Sequence, residues 1–294
     1  MIAVLTGGDF SEREASLATC TVVTQTLESL NRPYTVIDLK EKDWQAQLSA
    51  IQPEVAFIAM HGTFAEDGQL QRILEGKGVS YTGSSAAVSE LAFDKHRTKE
   101  VVAQLGIAVP RQFCREEALG NLPVVLKPNA DGSSVGVSVV RSAEAFPEVP
   151  DNYLIEEMIT GREFSVAVID DGGAARALPA IEITYPGEFF DYQAKYESGG
   201  AVEVCPADIP QELEGALGQL SVQVYKALGV SQYARIDWIV RDGRPYFLEI
   251  NTVPGMTPTS LINKELEAAG IPFEGFISDL LLHAADPKKD LAIQ

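Results

Sequence analysis

The feature that most constrains this chain is a pair of apolar runs, Trp238–Val240 and Pro245–Ile250, which lie on either side of Asp242-Gly243. An Asp-Gly dipeptide between two strand-like runs is a β-hairpin signal. The sequence therefore predicts two strands that pair directly across a tight turn. Whatever fold the chain adopts must place this hairpin, and the polar residues around it, in one sheet.

Three oxygen-bearing side chains lie where this hairpin brings its strands together. Asp237 is on the first strand, while Glu249 and Asn251 are two residues apart on the second and so face the same side. Hard oxygen ligands suit Mg²⁺, which takes few carboxylates and completes its shell with water and phosphate. The spacing predicts a magnesium site, with solvated acids and an ordinary ion pair at a sheet edge as the alternative.

Arg235 extends this cluster, because it lies two residues before Asp237 and shares its face of the strand. An arginine beside a metal-binding carboxylate site indicates an anion that is attacked or transferred there.

Composition limits the partners of the chain. Its 294 residues are 46% hydrophobic, enough for a large core in one large or two to three smaller domains. The formal net charge of −19 argues against nucleic-acid binding and against docking on anionic lipid, although a few local lysines can still hold phosphates. We therefore expect neither a nucleic-acid nor a membrane partner.

Cysteine usage and hydropathy bear on location. Cys20, Cys114 and Cys205 are scattered without metal-binding spacing, so we expect reduced thiols in a cytoplasmic protein. No apolar stretch approaches a membrane span, and the apolar start Met1–Leu5 is too short for a signal peptide. That start predicts a buried first strand instead.

Residues 1 to about 92 alternate short apolar runs with helical patterns, which is typical of a parallel α/β sheet. The runs are Ile2–Leu5, Tyr34–Ile37 and Val55–Met60. Gly7-Gly8 after the first run is no dinucleotide fingerprint, which needs G-x-G-x-x-G, so a dehydrogenase is disfavoured.

Two motifs lie at the carboxyl ends of these predicted strands. Ser11 and Glu14 match the S-x-x-E capping box, so helix capping is the default role of Glu14. A helix N-terminus at this edge of a sheet is also a place where small anionic ligands bind. A ligand-binding role for this segment is therefore open beside helix capping. His61-Gly62 follows the third strand, where a lone histidine is either structural or functional.

Asp94-Lys95 opens a helix and a second region, which continues to about residue 181 and predicts an antiparallel α+β lobe. Its strand-like runs are Leu122–Lys127, Val137–Val140, Tyr153–Glu157 and Phe164–Ile169. The small-residue loop 129–136 can cover phosphate oxygens with its N–H groups, or it is a simple hairpin turn. It is not a Walker A loop, because G-K-[ST] is missing.

Residues 182–294 return to a mixed sheet with helices. Segment 185–200 is bounded by Pro-Gly and Gly-Gly and is rich in aromatic rings. It predicts a lid that excludes water from a site, with a packed surface loop as the alternative. Further on, 257–260 predicts a helix start at which Ser260 caps the helix, binds a carboxylate, or does both.

Short blocks from residue 1 to about 282 occur in an order that is specific as a set. They are G-G-D-F-S-E-R-E-A-S-L (7–17), H-G (61–62), E-D-G (66–68), Y-T-G-S (81–84), D-K (94–95), L-K-P (126–128), G-S-S-V-G (132–136), E-F-S-V (163–166), D-Y-Q-A-K-Y (191–196), R-I-D (235–237) and L-E-I-N-T-V-P-G-M-T (248–257). With these blocks the chain resembles the D-alanine–D-alanine ligases, a branch of the ATP-grasp superfamily.

The resemblance implies an α/β (α+β) ATP-grasp fold in three parts. These are an N-terminal Rossmann-like parallel α/β substrate domain (1–92), a small antiparallel central lobe (93–181) and a C-terminal mixed-sheet lobe (182–294) with the metal site and the lid 185–200. It implies ATP and two Mg²⁺ ions, with Mn²⁺ as an alternative, on Asp237, Glu249 and Asn251. It also implies a homodimer.

The resemblance further implies which residues bind ATP. Backbone groups near Glu157 and Ile159 would read the adenine, and Glu163 would take the ribose hydroxyls. The full set is Lys95, Lys127, Ser133, Ser134, Glu156, Glu157, Met158, Ile159, Glu163, Lys195, Leu248 and Asn251. Some relatives carry Lys and Trp where this chain has Glu157 and Met158.

For the two D-alanine substrates, the resemblance implies binding by Glu14, His61, Arg235, Gly255, Ser260 and Leu261. The catalytic residues it implies are Glu14, Ser133, Tyr196, Arg235 and Gly255. In the family, a tyrosine at the place of Tyr196 goes with dipeptide makers, and phenylalanine goes with makers of the D-lactate ester.

These implications predict an enzyme that joins two D-alanines through a D-alanyl phosphate, with ATP hydrolysed to ADP, for peptidoglycan precursor synthesis. Ligases that make D-alanyl-D-lactate or D-alanyl-D-serine are the alternatives within the fold. A non-catalytic nucleotide-binding protein is the alternative from another class, since fold does not determine function. The metal cluster beside Arg235 argues against a protein that only binds nucleotide.

Overall fold

The computed structural model describes residues 1–9, 12–132, 135–170, 172, 174–185 and 201–284. Its described strands form three sheets, of which the N-terminal one is parallel and the other two are antiparallel. In this part of the chain, no helix combines the length and the apolar character that crossing a membrane requires.

The parallel sheet has the strand order β2–β1–β3. Its strands are β1 (Ile2–Thr6), β2 (Tyr34–Asp38) and β3 (Val55–Ile58), and its helices are α1 (Arg13–Ser29), α2 (Trp44–Ile51), α3 (Gln69–Gly76) and α4 (Ala86–Phe93). Every residue of β1 and β3 is buried, which explains why both are unbroken apolar runs rather than alternating ones. The predicted parallel α/β sheet is confirmed.

The second sheet is small and antiparallel, with the order β5–β4–β6. It consists of β4 (Val124–Pro128), β5 (Ser138–Val140) and β6 (Tyr153–Glu157), and α5 (Lys95–Gln104) and α6 (Arg115–Leu119) precede it. Asp94 caps α5 by accepting the Arg97 N–H at 3.0 Å. The helix start predicted at Asp94-Lys95 is therefore confirmed.

The third sheet runs β10–β9–β7–β11–β12, with β8 beside β7. Its elements are β7 (Arg162–Ile169), β8 (Arg176–Ala177), β9 (Ile181–Thr184), β10 (Val202–Val204), α7 (Gln211–Ala227), β11 (Tyr233–Arg241), β12 (Arg244–Asn251), α8 (Leu261–Ala268) and α9 (Phe273–His283). All pairings between these strands are antiparallel, whereas the sequence predicts a mixed sheet. The parallel component is an isolated bridge between Ala108 and Tyr246.

Strand β7 belongs to this large sheet, although the sequence groups it with the central lobe. It pairs with β9 on one side and β11 on the other, and it is buried from Phe164 to Ile169. A run of apolar residues identifies a strand but not its partner, because pairing depends on contacts distant in sequence. The domain bounds 1–92, 93–181 and 182–294 stay a prediction.

The hairpin at Asp242-Gly243 is present as predicted. Both turn residues have positive φ, 52° for Asp242 and 75° for Gly243, as the favoured two-residue turn between twisted strands requires. The register pairs Asp237 with Glu249, and Arg235 with the last residue of β12, Asn251. Since directly paired residues project from the same face, the predicted oxygen ligands are neighbours.

Hydrophobic clusters join the sheets and fix the cleft between them. Val4 and Phe57 of the parallel sheet pack in one cluster with Tyr233 of the large sheet. Val253, just after β12, packs in another cluster with Ile58 at the end of β3. These contacts set the carboxyl ends of β1 and β3 against the end of β12.

Candidate active site

A cleft of about 1080 Å³ is lined by residues from all three sheets. Each predicted site residue that the structure describes lines it: Glu14, His61, Lys95, Lys127, Glu156, Glu157, Met158, Ile159, Glu163, Arg235, Asp237, Leu248, Glu249, Asn251, Gly255, Ser260 and Leu261. The predicted residues Ser133, Ser134, Lys195 and Tyr196, and the lid from 186 to 200, lie outside the described residues.

Asp237 on β11 is held by two neighbours. Arg235 donates from Nε and Nη2 to its two carboxylate oxygens at 3.0 and 2.9 Å, and the Ser165 hydroxyl of β7 donates to it at 2.7 Å. A bidentate pair of this kind orients both groups. Burial lowers the pKa of Arg235, but the carboxylate of Asp237 outweighs burial and raises that pKa. The guanidinium is therefore a fixed positive charge in the cleft.

Glu249 and Asn251 on β12 complete the cluster. Oε2 of Glu249 lies 3.3 Å from Nζ of Lys95 on α5. The Asn251 side-chain oxygen accepts the Val253 N–H at 2.9 Å, which orients the amide while its second lone pair stays available. Both contacts aim side-chain oxygens at the same part of the cleft as Asp237.

This donor set fits Mg²⁺ shared with a phosphate. Within the described ranges, no group of three or more His, Cys, Asp or Glu residues forms a metal site. The cluster offers two carboxylates and one amide. Mg²⁺ binds through one or two carboxylates and keeps positions for water and phosphate oxygens.

Glu156 on β6 is clamped between two lysines. Nζ of Lys127 on β4 lies 2.8 Å from its Oε2, and Nζ of Lys99 on α5 lies 2.5 Å from its Oε1. Burial alone would raise the pKa of Glu156, but Lys127 and Lys99 together lower it to about 2. Lys99 is not among the residues that the sequence predicts; its spacing of four from Lys95 on one helix face is the available signal.

The end of β6 and loop 158–161 form one wall of the cleft. The Glu157 carboxylate pairs with Arg241, beside the hairpin turn, at 3.0 Å. A Cβ on Gly161 would lie 2.2 Å from the Val240 carbonyl oxygen, so the loop packs directly on the backbone of β11. The hairpin thus supports both the metal-binding cluster and the loop predicted to read adenine.

His61 is buried, and both ring nitrogens have protein partners. Nδ1 donates to the Val253 carbonyl at 2.8 Å, and Nε2 accepts from the Thr19 hydroxyl at 2.7 Å. The Thr19 oxygen also accepts the Met256 N–H at 3.3 Å. Burial lowers the pKa of His61, so the neutral ring satisfies both bonds. Of the two roles open from the sequence, these bonds favour the structural one, which ties β3 to the loop around Gly255.

Two carboxylates to which the sequence assigns no role also line the cleft, Glu12 and Glu66. Oε1 of Glu66 accepts the Gly62 N–H at 2.9 Å. Burial, reinforced by the negative charge of Glu12, raises the pKa of Glu66 to about 8. This raised pKa favours the protonated, neutral form of Glu66 at neutral pH. Its position in the E-D-G block is the available sequence signal.

The capping box predicted at Ser11 and Glu14 includes Ser11, which lies outside the described residues. Helix α1 begins at Arg13, and Glu12 before it makes no side-chain cap bond. Glu14 is an exposed residue of the first turn that faces the cleft. Its carboxylate therefore lies at the N-terminal end of α1, on the side of the cleft.

Ser260 occupies the N-cap position of α8, but its hydroxyl makes no cap bond. The hydroxyl instead accepts the Thr257 N–H at 2.9 Å. A Cβ on Gly255 would lie 3.2 Å from Oγ of Ser260, so glycine keeps this corner of the cleft open. Side-chain capping, one of the two roles predicted for Ser260, is not observed.

Comparison with known proteins agrees with this geometry. The family model for the C-terminus of D-Ala–D-Ala ligases matches residues 100–282. The D-alanine–D-alanine ligase of Syntrophotalea carbinolica is 39% identical to the chain, over 97% of the chain and 96% of the relative. That of Geobacter sulfurreducens is 40% identical, over 96% of the chain and 93% of the relative.

Solved structures show the same similarity. The D-alanine–D-alanine ligase from Bacillus anthracis, solved in complex with ATP, has a TM-score of 0.84 at 32% identity and covers 99% of this chain and 98% of its own. The VanG D-Ala:D-Ser ligase from Enterococcus faecalis has a TM-score of 0.81 at 27% identity, with coverage of 96% and 98%. The fold is that of the ATP-grasp enzymes. Within that class, the chain belongs to the D-alanine–D-alanine ligase family.

Proposed function

We propose that this chain joins two D-alanines to D-alanyl-D-alanine and converts ATP to ADP and phosphate. One observation carries the proposal: the oxygens of Asp237, Glu249 and Asn251 meet Lys95 and Arg235 in a single cleft. That combination suits phosphoryl transfer to an anion. A protein that only bound nucleotide would not need Arg235 beside the metal-binding oxygens.

The nucleotide occupies the part of the cleft between the small sheet and the large one. Lys95 and Lys127 hold phosphate oxygens as point charges, and the backbone of 157–159 reads the adenine while Glu163 takes the ribose. Asp237, Glu249 and Asn251 would hold two Mg²⁺, or Mn²⁺, which supply the charge that neutralises the transferring phosphoryl group. Ser133, Ser134 and Lys195 are proposed to cover the phosphates.

The substrates occupy the part between the parallel sheet and β12. The Glu14 carboxylate holds the ammonium of the first D-alanine, whose carboxylate attacks the γ-phosphorus of ATP and displaces ADP. The amine of the second D-alanine then attacks the acyl carbon, loses a proton and displaces phosphate. Arg235 and the Gly255 N–H stabilise the oxyanion, each donor contributing about 3 kcal/mol.

Ser260 and Leu261 at the N-terminus of α8 bind the carboxylate of the second D-alanine, because backbone N–H groups there favour an anion. Tyr196 and the lid 185–200 would exclude water from the site, because water would hydrolyse the acyl phosphate. We place the reaction in the cytoplasm, as one step of peptidoglycan precursor synthesis, in a homodimer.

A D-alanyl-D-serine ligase is the second candidate, and the similarity to a solved D-Ala:D-Ser ligase favours it over a D-alanyl-D-lactate ligase. The test is phosphate release and product mass spectrometry with ATP, Mg²⁺ and a panel of D-alanine, L-alanine, D-serine and D-lactate. We expect D-alanyl-D-alanine as the main product. ATP binding without phosphate release for any acceptor would contradict the proposal, and a D-serine product in excess would support the second candidate.

A further inference from the structure

Lys99 is a buried cation that does not line the cleft. It lies one helical turn after Lys95 on α5, and its side chain is 2% exposed. Its Nζ contacts Oε1 of Glu156 at 2.5 Å, while the other oxygen of Glu156 contacts Lys127 at 2.8 Å. Lys127 does line the cleft. The three side chains form one buried cluster, which we call the lysine–glutamate–lysine cluster.

The charges of this cluster are closely coupled. Two lysine amines share one carboxylate where little water can screen them, so the cluster carries a net positive charge when both amines are protonated; burial lowers the pKa of Lys99 to about 7, and the charge of Glu249 also acts on Lys127. Buried charge of this kind is costly unless a partner offsets it. The partner that suits the cleft side of the cluster is an anion next to Lys127. Without Lys99, the Glu156 carboxylate would neutralise Lys127 on its own.

We propose that Lys99 is a positioning residue for nucleotide binding, a role that rests on the proposed function and extends it. By occupying Oε1 of Glu156, Lys99 restricts Lys127 to Oε2, so that Glu156 offsets the positive charge of Lys127 less than it would if it paired with Lys127 alone. Lys127 is then held at a fixed point with charge available for a polyphosphate. Lys99 acts through Glu156 and touches neither nucleotide nor substrate.

The local structure supports this role. Lys127 on β4 and Glu156 on β6 lie on paired strands of the small sheet, and Lys99 attaches helix α5 to them. The same helix carries Lys95, so the cluster also determines where the second phosphate-binding lysine lies. Burial of Lys99 lowers its pKa to about 7, and an anion bound at Lys127 would favour the charged form of the cluster.

The direct test is Lys99→Met, which keeps the length of the side chain and removes its charge. ADP binding is measured by calorimetry without D-alanine, and KM and kcat are measured separately for ATP and D-alanine. We expect the ADP dissociation constant and the KM for ATP to rise roughly tenfold, the size of one lost charge-assisted contact, with the KM for D-alanine unchanged. Lys99→Arg should stay close to the native protein. Lys77→Met, at an exposed lysine, is the matched control.

The comparison of the two substrates separates positioning from simple bracing of the fold. A positioning role predicts that folded Lys99→Met loses affinity for ADP and ATP while the KM for D-alanine stays near native, and that Lys99→Arg restores the affinity. A merely structural clamp predicts that the KM values for both substrates change together, or that Lys99→Arg binds as weakly as Lys99→Met. Either that outcome, or native ADP affinity in folded Lys99→Met, overturns the proposal.

The role of Lys99 can still be decided if Lys99→Met does not fold or if the native protein has no ligase activity. If Lys99→Met does not fold, Lys99→Gln, which removes the charge but can still donate to Glu156, takes its place: a loss of ADP affinity of roughly tenfold with the KM for D-alanine unchanged supports the proposal, and native ADP affinity overturns it. If the native protein binds ADP but makes no dipeptide, the proposed function fails, while the ADP measurements still decide the role of Lys99.

Discussion

At Asp237 and Glu249, two carboxylates face each other across paired strands, and a guanidinium and an ammonium lie beside them. The charges of these individual side chains determine which ligands the cleft can bind. Asp237 is neutralised by Arg235 at both oxygens, whereas Glu249 has Lys95 on Oε2 and is more exposed, at 36%. Glu249 is therefore the carboxylate better placed to share a cation with a phosphate.

We expect Glu249→Gln to reduce ligation by about a hundredfold or more while the protein stays folded. The amide keeps the shape of the side chain and removes the charge that balances the metal, and even partners outside a metal's own ligands cost ten- to a hundredfold. Initial rates at ordinary Mg²⁺ and a circular dichroism melt measure both quantities. Glu90→Gln, at an exposed glutamate paired with Arg72, is the control. Near-native turnover of folded Glu249→Gln would remove Glu249 from the metal site.

Glu66 predicts a pH dependence of stability. Its pKa is raised to about 8 in the folded protein, so the folded state holds this proton more tightly than the unfolded state does. Its contribution is complete below the ordinary glutamate pKa and is lost as the pH rises towards about 8. Glu66→Gln imitates the protonated acid and can still accept the Gly62 N–H.

We therefore expect Glu66→Gln to lose less stability than the native protein between about pH 5 and pH 8. The difference should reach a few kcal/mol, given about 1.4 kcal/mol per pKa unit. Urea unfolding at a series of pH values measures it, with Glu90→Gln as the exposed control. Parallel stability curves for native and Glu66→Gln protein would show that folding does not raise the pKa of Glu66.

At the scale of elements, the β11–β12 hairpin supports the cleft from two sides. Substitutions at two glycines, one in the hairpin turn and one in the loop that packs on β11, test this support separately. Gly243 has a φ of 75° but open space where a Cβ would lie, whereas a Cβ on Gly161 would lie 2.2 Å from the Val240 oxygen. Gly243→Ala should cost about 1–2 kcal/mol, the strain of a left-handed backbone. Gly161→Ala should cost more, and it should raise the KM for ATP because loop 158–161 must move away from β11.

Unfolding midpoints in urea and initial rates at varied ATP distinguish these two variants. The expected pattern is a stability loss without a change in KM for Gly243→Ala, and both effects for Gly161→Ala. The reverse order of stability loss, or an unchanged KM in Gly161→Ala, would mean that the packing of the loop on β11 does not position the nucleotide.

The elements that the sequence predicts well are those with local signals. The Asp242-Gly243 turn and the unbroken apolar runs of β1 and β3 can be recognised from residues that are neighbours in sequence. Contacts between residues that are distant in sequence cannot be recognised in this way. Lys99 contacts Glu156, 57 positions away in sequence, and His61 contacts Val253, 192 positions away. For the same reason the sequence predicts β7 as a strand but does not reveal that it pairs with β9 and β11.

At the scale of the whole molecule, the parallel sheet and the large sheet share a core instead of meeting only at a surface. Val4 and Phe57 pack in the same cluster as Tyr233. Buried hydrogen bonds reinforce this contact, since His61 joins Thr19 to the Val253 carbonyl. The substrate end of the cleft is built from both parts, so its geometry depends on their remaining together.

The shared core predicts that both parts unfold in one cooperative transition, and the two tryptophans of the chain can report it. Trp44 packs edge-on against Phe64 in the N-terminal region, and Trp238 packs edge-on against Phe247 in the large sheet. Trp238→Phe and Trp44→Phe each leave one reporter. Because each substitution can change stability by itself, the comparison is made by adding Val4→Ala to both backgrounds.

Val4 lies in the shared cluster and belongs to neither of the clusters that hold the tryptophans. Its truncation removes buried methyl groups and lowers the free energy of unfolding of whatever unit contains that cluster. If the two parts unfold together, Val4→Ala lowers the melting midpoint by the same amount whether Trp44 or Trp238 reports, and each curve coincides with the loss of far-UV circular dichroism. A shift seen by Trp44 but not by Trp238 would mean that the N-terminal sheet melts alone, and that the core between the sheets does not couple them.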